Sequence, residues 1–182
     1  MKGKITENQK LTKIISVGNA GGNIIDYLHQ QQQIKAHFIA CDTEEEDLKK
    51  RAVSDKLLLE DDNVKELFQA DEKAVILVAG LGGTTTRDYV PKIAQYCKNQ
   101  QIPLYAVVGT PLAFEGENIS KKAEGTITEL KKYTENVFII PLEKAKQEYG
   151  KLDLLSAFRK VNEEYQQKIK EILDNLLLLQ KN

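Results

Sequence analysis

Hydrophobic residues fall in short runs separated by stretches with helical spacing, and the two kinds alternate from residue 13 onward. Residues 13–17 (KIISV) are β-branched and apolar, which predicts a strand, and residues 23–33 follow as a helix with a glutamine-rich solvated end. Residues 37–41 (HFIAC) predict a second strand. Residues 43–51, acidic then basic, predict a short helix. Residues 57–59 suggest a small strand. Residues 61–68 open on an N-cap-like Asp pair and predict another short helix. The run 74–79 (AVILVA) is apolar on both faces, the mark of a fully buried strand. Residues 88–99 predict a helix with Pro91 in its first turn, where proline is tolerated. A strand at 104–108, an amphipathic helix at 120–133 and a strand at 137–140 (VFII) follow. The last element, 152–178, is a helix of about 40 Å at 1.5 Å per residue.

Strands alternating with helices imply βαβ units. The expected fold is α/β: a Rossmann-like parallel sheet with helices on both faces, ending in a long C-terminal helix. Right-handed crossovers leave few topologies for it. No repeat or Pro/Ser linker divides the chain. A single domain is expected over residues 11–182, preceded by a flexible polar stretch at 1–10.

Composition narrows the function classes. Charges nearly cancel, with 26 basic against 27 acidic residues, and no long cationic run exists. Nucleic acid and anionic membrane surfaces are therefore not the expected partners. The apolar runs are too short to span a bilayer. The opening MKGKITENQK lacks a signal-peptide core, so a cytoplasmic setting is expected. Cys41 and Cys97 are the only cysteines, and His29 and His37 the only histidines. Neither cysteine sits in a CxxC pair, so buried thiols are expected and no metal site.

The candidate chemistry lies in two glycine loops. After the first strand the chain reads SVGNAGGNIID, placing Gly18, Gly21 and Gly22 between a strand and a helix. Bare backbone allows close approach of a ligand, and a helix start offers free N–H groups suited to phosphate. The spacing Gly-x-x-Gly-Gly matches neither Gly-x-Gly-x-x-Gly nor a Walker A loop. Asp42, at the end of the second strand, stands where a ribose-binding carboxylate belongs in a dinucleotide fold, which keeps an NAD-type ligand open. The second loop, AGLGGTTTRDYVP, follows the AVILVA strand. Gly82 and Gly83 would expose further N–H groups, and Thr84, Thr85 and Thr86 add hydroxyl donors. Two such cradles suit one nucleotide lying across the strand ends.

Four stretches resemble the FtsZ/tubulin superfamily. GNAGGN (18–23) is similar to the family's first nucleotide loop. AGLGGTTTRDYVP stands where the signature GGGTGTG belongs. VVGTPLAFEG (107–116) resembles the TxPFxFEG loop, and LLSAFRKVNEEY (154–165) resembles the opening of the long central helix. The resemblance runs from about residue 11 to the end of the chain. It implies a guanine-nucleotide site for GTP or GDP, with Mg2+ accompanying GTP. Gly18, Ala20, Gly21, Gly22 and Asn23 would belong to the first loop, with Gly21, Gly22 and Asn23 near phosphates and base. Gly82, Gly83 and Thr85 would hold phosphate, with Thr84, Thr86 and Arg87 beside them. Asp42 would keep the acidic position after the second strand, and Glu115 would meet the ribose. Phe158 would stack on guanine and Asn162 would bond its edge. These two are four apart and share a helix face. Phe158 also fits the apolar stripe Leu154, Phe158, Val161, Tyr165, Ile169, Ile172, Leu176, which is a core reading.

Departures from the family pattern concentrate on phosphate chemistry. Thr84, Thr86 and Asp88 replace glycines, restricting φ and narrowing the phosphate space. Asp88 would repel a polyanion, while Arg87 either pairs with phosphate or with Asp88. PLEK (141–144) stands in place of PNDR, and no arginine follows the FEG. No NxDxxD catalytic loop is present in the 182 residues, and no second domain is expected. The resemblance therefore implies a nucleotide binder with little or no GTPase activity of its own. It would act as a homo-oligomer or on FtsZ-type filaments, for instance as a cap. No catalytic residue is assigned. The rival expectation is a structural pseudo-GTPase that binds no nucleotide and works through protein contacts.

Overall fold

Burial on both faces selects the central strands. β1 (Thr12–Val17) is buried at all six positions, and β4 (Ala74–Gly80) at all but its last. Such runs demand cover above and below. The structure, a computed structural model, describes residues 12–61, 63–69 and 72–179. The stretch expected to be flexible (1–10), Asp62 of the Asp pair and the side chain of Leu154 lie outside the described residues.

The other strands are β2 (His37–Asp42), β3 (Asp55–Leu58), β5 (Leu104–Thr110) and β6 (Val137–Pro141). All pair in parallel, in the order β3-β2-β1-β4-β5-β6. This is the doubly wound order, and it reverses between β1 and β4. There Ser16 and Val17 stand opposite Val78 and Ala79.

Helices fill both faces, as alternation along the strands requires. Ile14, Ile76, Val78 and Val107 face one core, shared with α1 (Gly18–Gln31) and α6 (Leu154–Leu179). Ile15, Val17, Leu77 and Val108 face the other, shared with α3 (Thr84–Asn99) and α4 (Glu117–Leu130). Tyr165, Ile169 and Ile172 bury the middle of α6. Phe158 leaves that stripe and is 55% exposed, so it is not core.

Several boundaries differ from the sequence expectation. α1 begins at Gly18 rather than at residue 23, and α3 at Thr84 rather than at 88. The glycine and threonine loops are thus the first helical turns themselves. Their low propensity is overridden because each strand end hands the chain straight to a helix packed on the sheet. Pro91 consequently lies inside α3, not in its first turn. The bond it forfeits is to the carbonyl of Arg87. The short elements are α2 (Glu45–Lys49), a 3-10 turn at Val64–Leu67 in place of a helix over 61–68, and a 3-10 turn at Ala113–Glu115. α5 (Leu142–Tyr149) has no counterpart among the expected elements.

At the opposite end of β1 from the order reversal, Lys13 is buried. Its Nζ donates to Leu67 O at 2.5 Å and pairs with Glu72.

Candidate functional site

The order reversal opens a cavity of about 470 Å3 at the carboxyl ends of β1 and β4. Two turns shape it. Gly18 has φ +75°, which lets β1 pass into α1 within one residue, and Gly82 has φ +113° between β4 and α3. L side chains rarely adopt either conformation. The N-cap residues are Val17 for α1 and Gly83 for α3, and neither helix has a side-chain cap. Gly18, Asn19 and Ala20 of the one first turn, and Thr84, Thr85 and Thr86 of the other, line the cavity. The first amides of a helix have no intrahelical acceptor and carry a partial positive charge. The cavity is therefore walled by two anion-favouring helix starts.

The structure brings part of the expected set together. Gly18, Ala20, Gly82 and Gly83 border the cavity, with Asp42 at one side and Glu115 at another. The three threonines border it unequally. Thr84 is exposed. Thr86 is 3% exposed and donates its hydroxyl to Gly83 O at 3.1 Å. The Thr85 hydroxyl shares a 2.7 Å hydrogen bond with that of Thr43, tying the loop after β2 to the start of α3. A Cβ on Gly18 would lie 3.3 Å from the Thr86 methyl, so these loops pack closely.

The other expected residues lie elsewhere. Gly21 packs on the sheet, where an added Cβ would stand 2.7 Å from Val78 O. Gly22 lies under Arg51, whose Nη1 would be 2.7 Å from such a Cβ. Asn23 is exposed, and its Oδ1 accepts from Arg51 Nη1 at 2.8 Å. Arg87 is exposed and held by Asp88 through bonds of 2.7 and 3.0 Å. Asn162 is half-buried on α6.

Phe158 lines a second, apolar pocket of about 380 Å3 with Phe114, Ala145 and Val161. Leu142 belongs to both pockets and forms their common wall. Glu115 stands beside that wall. Its carboxylate accepts the Leu112 N–H at 2.7 Å, which orders the turn at Ala113–Glu115. Phe114, in that turn, is 73% exposed.

The cavity's charge is carried by carboxylates. Asp42, Glu44, Asp47 and Glu115 line it, and among the described lining residues there is no lysine or arginine. Burial raises the Asp42 carboxyl above its ordinary range, and the nearby Asp47 and Glu44 add to this. The Glu44 and Thr43 amides, donating to Oδ1 at 3.3 and 2.8 Å, oppose it. Sequence reasoning missed Asn19, Glu44, Asp47, Thr110 and Leu142. Asn19 lay in the quoted first loop, and Thr110 precedes the FEG. Leu142 belongs to α5, the helix that the sequence reading did not contain.

No family profile matches the chain. The cell division protein FtsZ of Buchnera aphidicola subsp. Baizongia pistaciae is 29% identical over 179 residues, covering 85% of this chain and 46% of that protein. An empty FtsZ dimer of M. jannaschii superposes with TM-score 0.74 at 25% identity, over 84% of this chain and 51% of that one. A GTPγS-bound protofilament of CetZ2 from Haloferax volcanii shares the fold, with TM-score 0.72 at 20% identity, over 89% of this chain and 57% of that one. The chain thus spans about half the length of the curated relatives it matches. Its doubly wound sheet, its long closing helix and its likeness to FtsZ in sequence and structure agree: the chain belongs to the FtsZ/tubulin superfamily.

Proposed function

We propose that the chain binds a guanine nucleotide, GTP or GDP, with its phosphates in the order-reversal cavity. One observation carries the reading: a cavity of about 470 Å3 lies between two helix starts that no side chain caps. That volume falls in the range of about 300–1,000 Å3 common for small-molecule sites. The GTPγS bound in the CetZ2 protofilament and the resemblance of the loops to FtsZ support guanine. The ribose would meet Glu115, and the base would pass Leu142 to lie against Phe158, a stacking contact worth about 1 kcal/mol. Asn162, on the same helix face, would bond the base edge. Both backbone amides that Asp42 accepts use Oδ1, so Oδ2 is left to meet Mg2+ brought with GTP. Mg2+ commonly binds through one or two carboxylates plus phosphates.

The chain alone would hydrolyse GTP slowly. Phosphoryl transfer depends on positioned positive charge, and Arg87, the one arginine of the second loop, is held by Asp88. The proposed role is therefore binding, with action on FtsZ-type filaments, as a homo-oligomer or as a cap. Light scattering of growing filaments tests that role. Substoichiometric chain should shorten them, and unchanged polymer length would count against it.

A second reading, a pseudo-GTPase that binds no nucleotide, is favoured by the four lining carboxylates and by the close packing of Thr85 and Thr86 on the first loop. Thermal melts with GDP, GTP, ATP and NAD separate the two. A ligand at about 100 times its Kd stabilises by about 2.7 kcal/mol. The guanine nucleotides should give the largest rise in Tm. No rise with any of the four supports the second reading, and a larger rise with NAD points to a dinucleotide held through Asp42.

A further inference from the structure

Arg51, just past α2, is a charged side chain only 7% exposed. Its Nε donates to Asp47 O at 3.0 Å, Nη1 to Asn23 Oδ1 at 2.8 Å and Nη2 to Asn19 Oδ1 at 3.2 Å. An ion pair of 3.3 Å to Asp26 Oδ2 balances the charge. Asp26 is itself fixed, its Oδ1 accepting the Ala52 N–H at 2.7 Å. The guanidinium therefore bridges the end of α2 to the first two turns of α1, lying across Gly22.

A guanidinium only donates. An asparagine gripped by it must turn its oxygen inward, and its NH2 then faces the other way. Asn19 lines the cavity and carries the only side-chain N–H donors among the described lining residues. The charged lining groups are all carboxylates. Without Arg51, Asn19 is free to flip and present one more oxygen to an anion.

We propose that Arg51 is a positioning residue for the cavity: by holding Asn19 Oδ1, it keeps the Asn19 NH2 available to the oxygens of a nucleoside diphosphate. This rests on the nucleotide reading and adds the group that fixes the site's one side-chain N–H donor. It acts through Asn19 and does not touch the ligand.

The test is equilibrium dialysis of labelled GDP against the native chain, Arg51→Ala, Arg51→Lys, Asn19→Ala and the Arg51→Ala/Asn19→Ala double variant. Native chain should bind. Asn19→Ala and Arg51→Ala should each weaken binding about tenfold, and the double variant should be no weaker than Asn19→Ala alone, as coupled residues require. Arg51→Lys keeps the charge but lacks the planar fork that spans both asparagines. It should lose about as much as Arg51→Ala, and it decides the matter if Arg51→Ala fails to fold. Native-like binding by Arg51→Lys or Asn19→Ala overturns the proposal, as do losses that multiply in the double variant. No binding by the native chain overturns the nucleotide reading and this one with it. Binding that ignores Arg51 overturns this one alone.

Discussion

Asp42 is a buried carboxylate in the wall of the order-reversal cavity. Its carboxyl is raised above the ordinary value of 3.8, chiefly by burial, with Asp47 and Glu44 adding to the effect. Between that value and the raised one the folded chain holds more protons than the unfolded, so this group's contribution to stability falls as pH rises. It is fully present below 3.8 and lost above the folded value. Asp42→Asn keeps an Oδ1 acceptor for Thr43 and Glu44 and removes the titration. The variant's Tm minus the native Tm should therefore climb as pH rises through this window and then level off. A flat difference would contradict the assignment. Gly21 makes a second residue-scale case. Its replacement by alanine favours helix locally but sets a methyl against Val78 O, which cannot step aside. Gly21→Ala should destabilise by about 1–3 kcal/mol in urea unfolding. Loop composition pointed to Gly18 and Gly82, but sequence did not show that Gly21 and Gly22 serve packing. Neither the sheet contact nor the reach of Arg51 is local information.

At the scale of elements, strand runs were easy to read, because burial on both faces leaves long apolar stretches such as AVILVA. Helix starts were not. The stretches 18–22 and 84–87 look like loops because glycine and threonine are poor helix formers, yet they form first turns. α5 was missed because LEKAKQEY carries little apolar periodicity, and only Ala145 of it is buried. α6 contributes beyond packing. Tyr165 is buried in its middle, and its hydroxyl donates to Ala79 O at 3.3 Å, one residue before the end of β4. Tyr165→Phe should remove that bond and little else, at about 0.5–1.5 kcal/mol in chemical unfolding. A larger loss would mean that the hydroxyl also orders the cavity's edge.

For the whole molecule, the sheet class followed from the alternation of strands and helices, and the two glycine loops pointed to the strand ends, where a doubly wound sheet has its crevice. Which residues surround that crevice depended on long-range geometry. The second pocket, the shared Leu142 wall and the exposed Phe158 arise only once α5 and α6 stand side by side. The described residues include no helix long and apolar enough to cross a membrane. Titration calorimetry of GDP into the native chain at about 100 μM addresses the central claim most directly. One-to-one binding with a Kd of about 10 μM or tighter, equivalent to about 7 kcal/mol, is the predicted result. Absence of any binding isotherm with GDP, and equally with GTP and Mg2+, would contradict it.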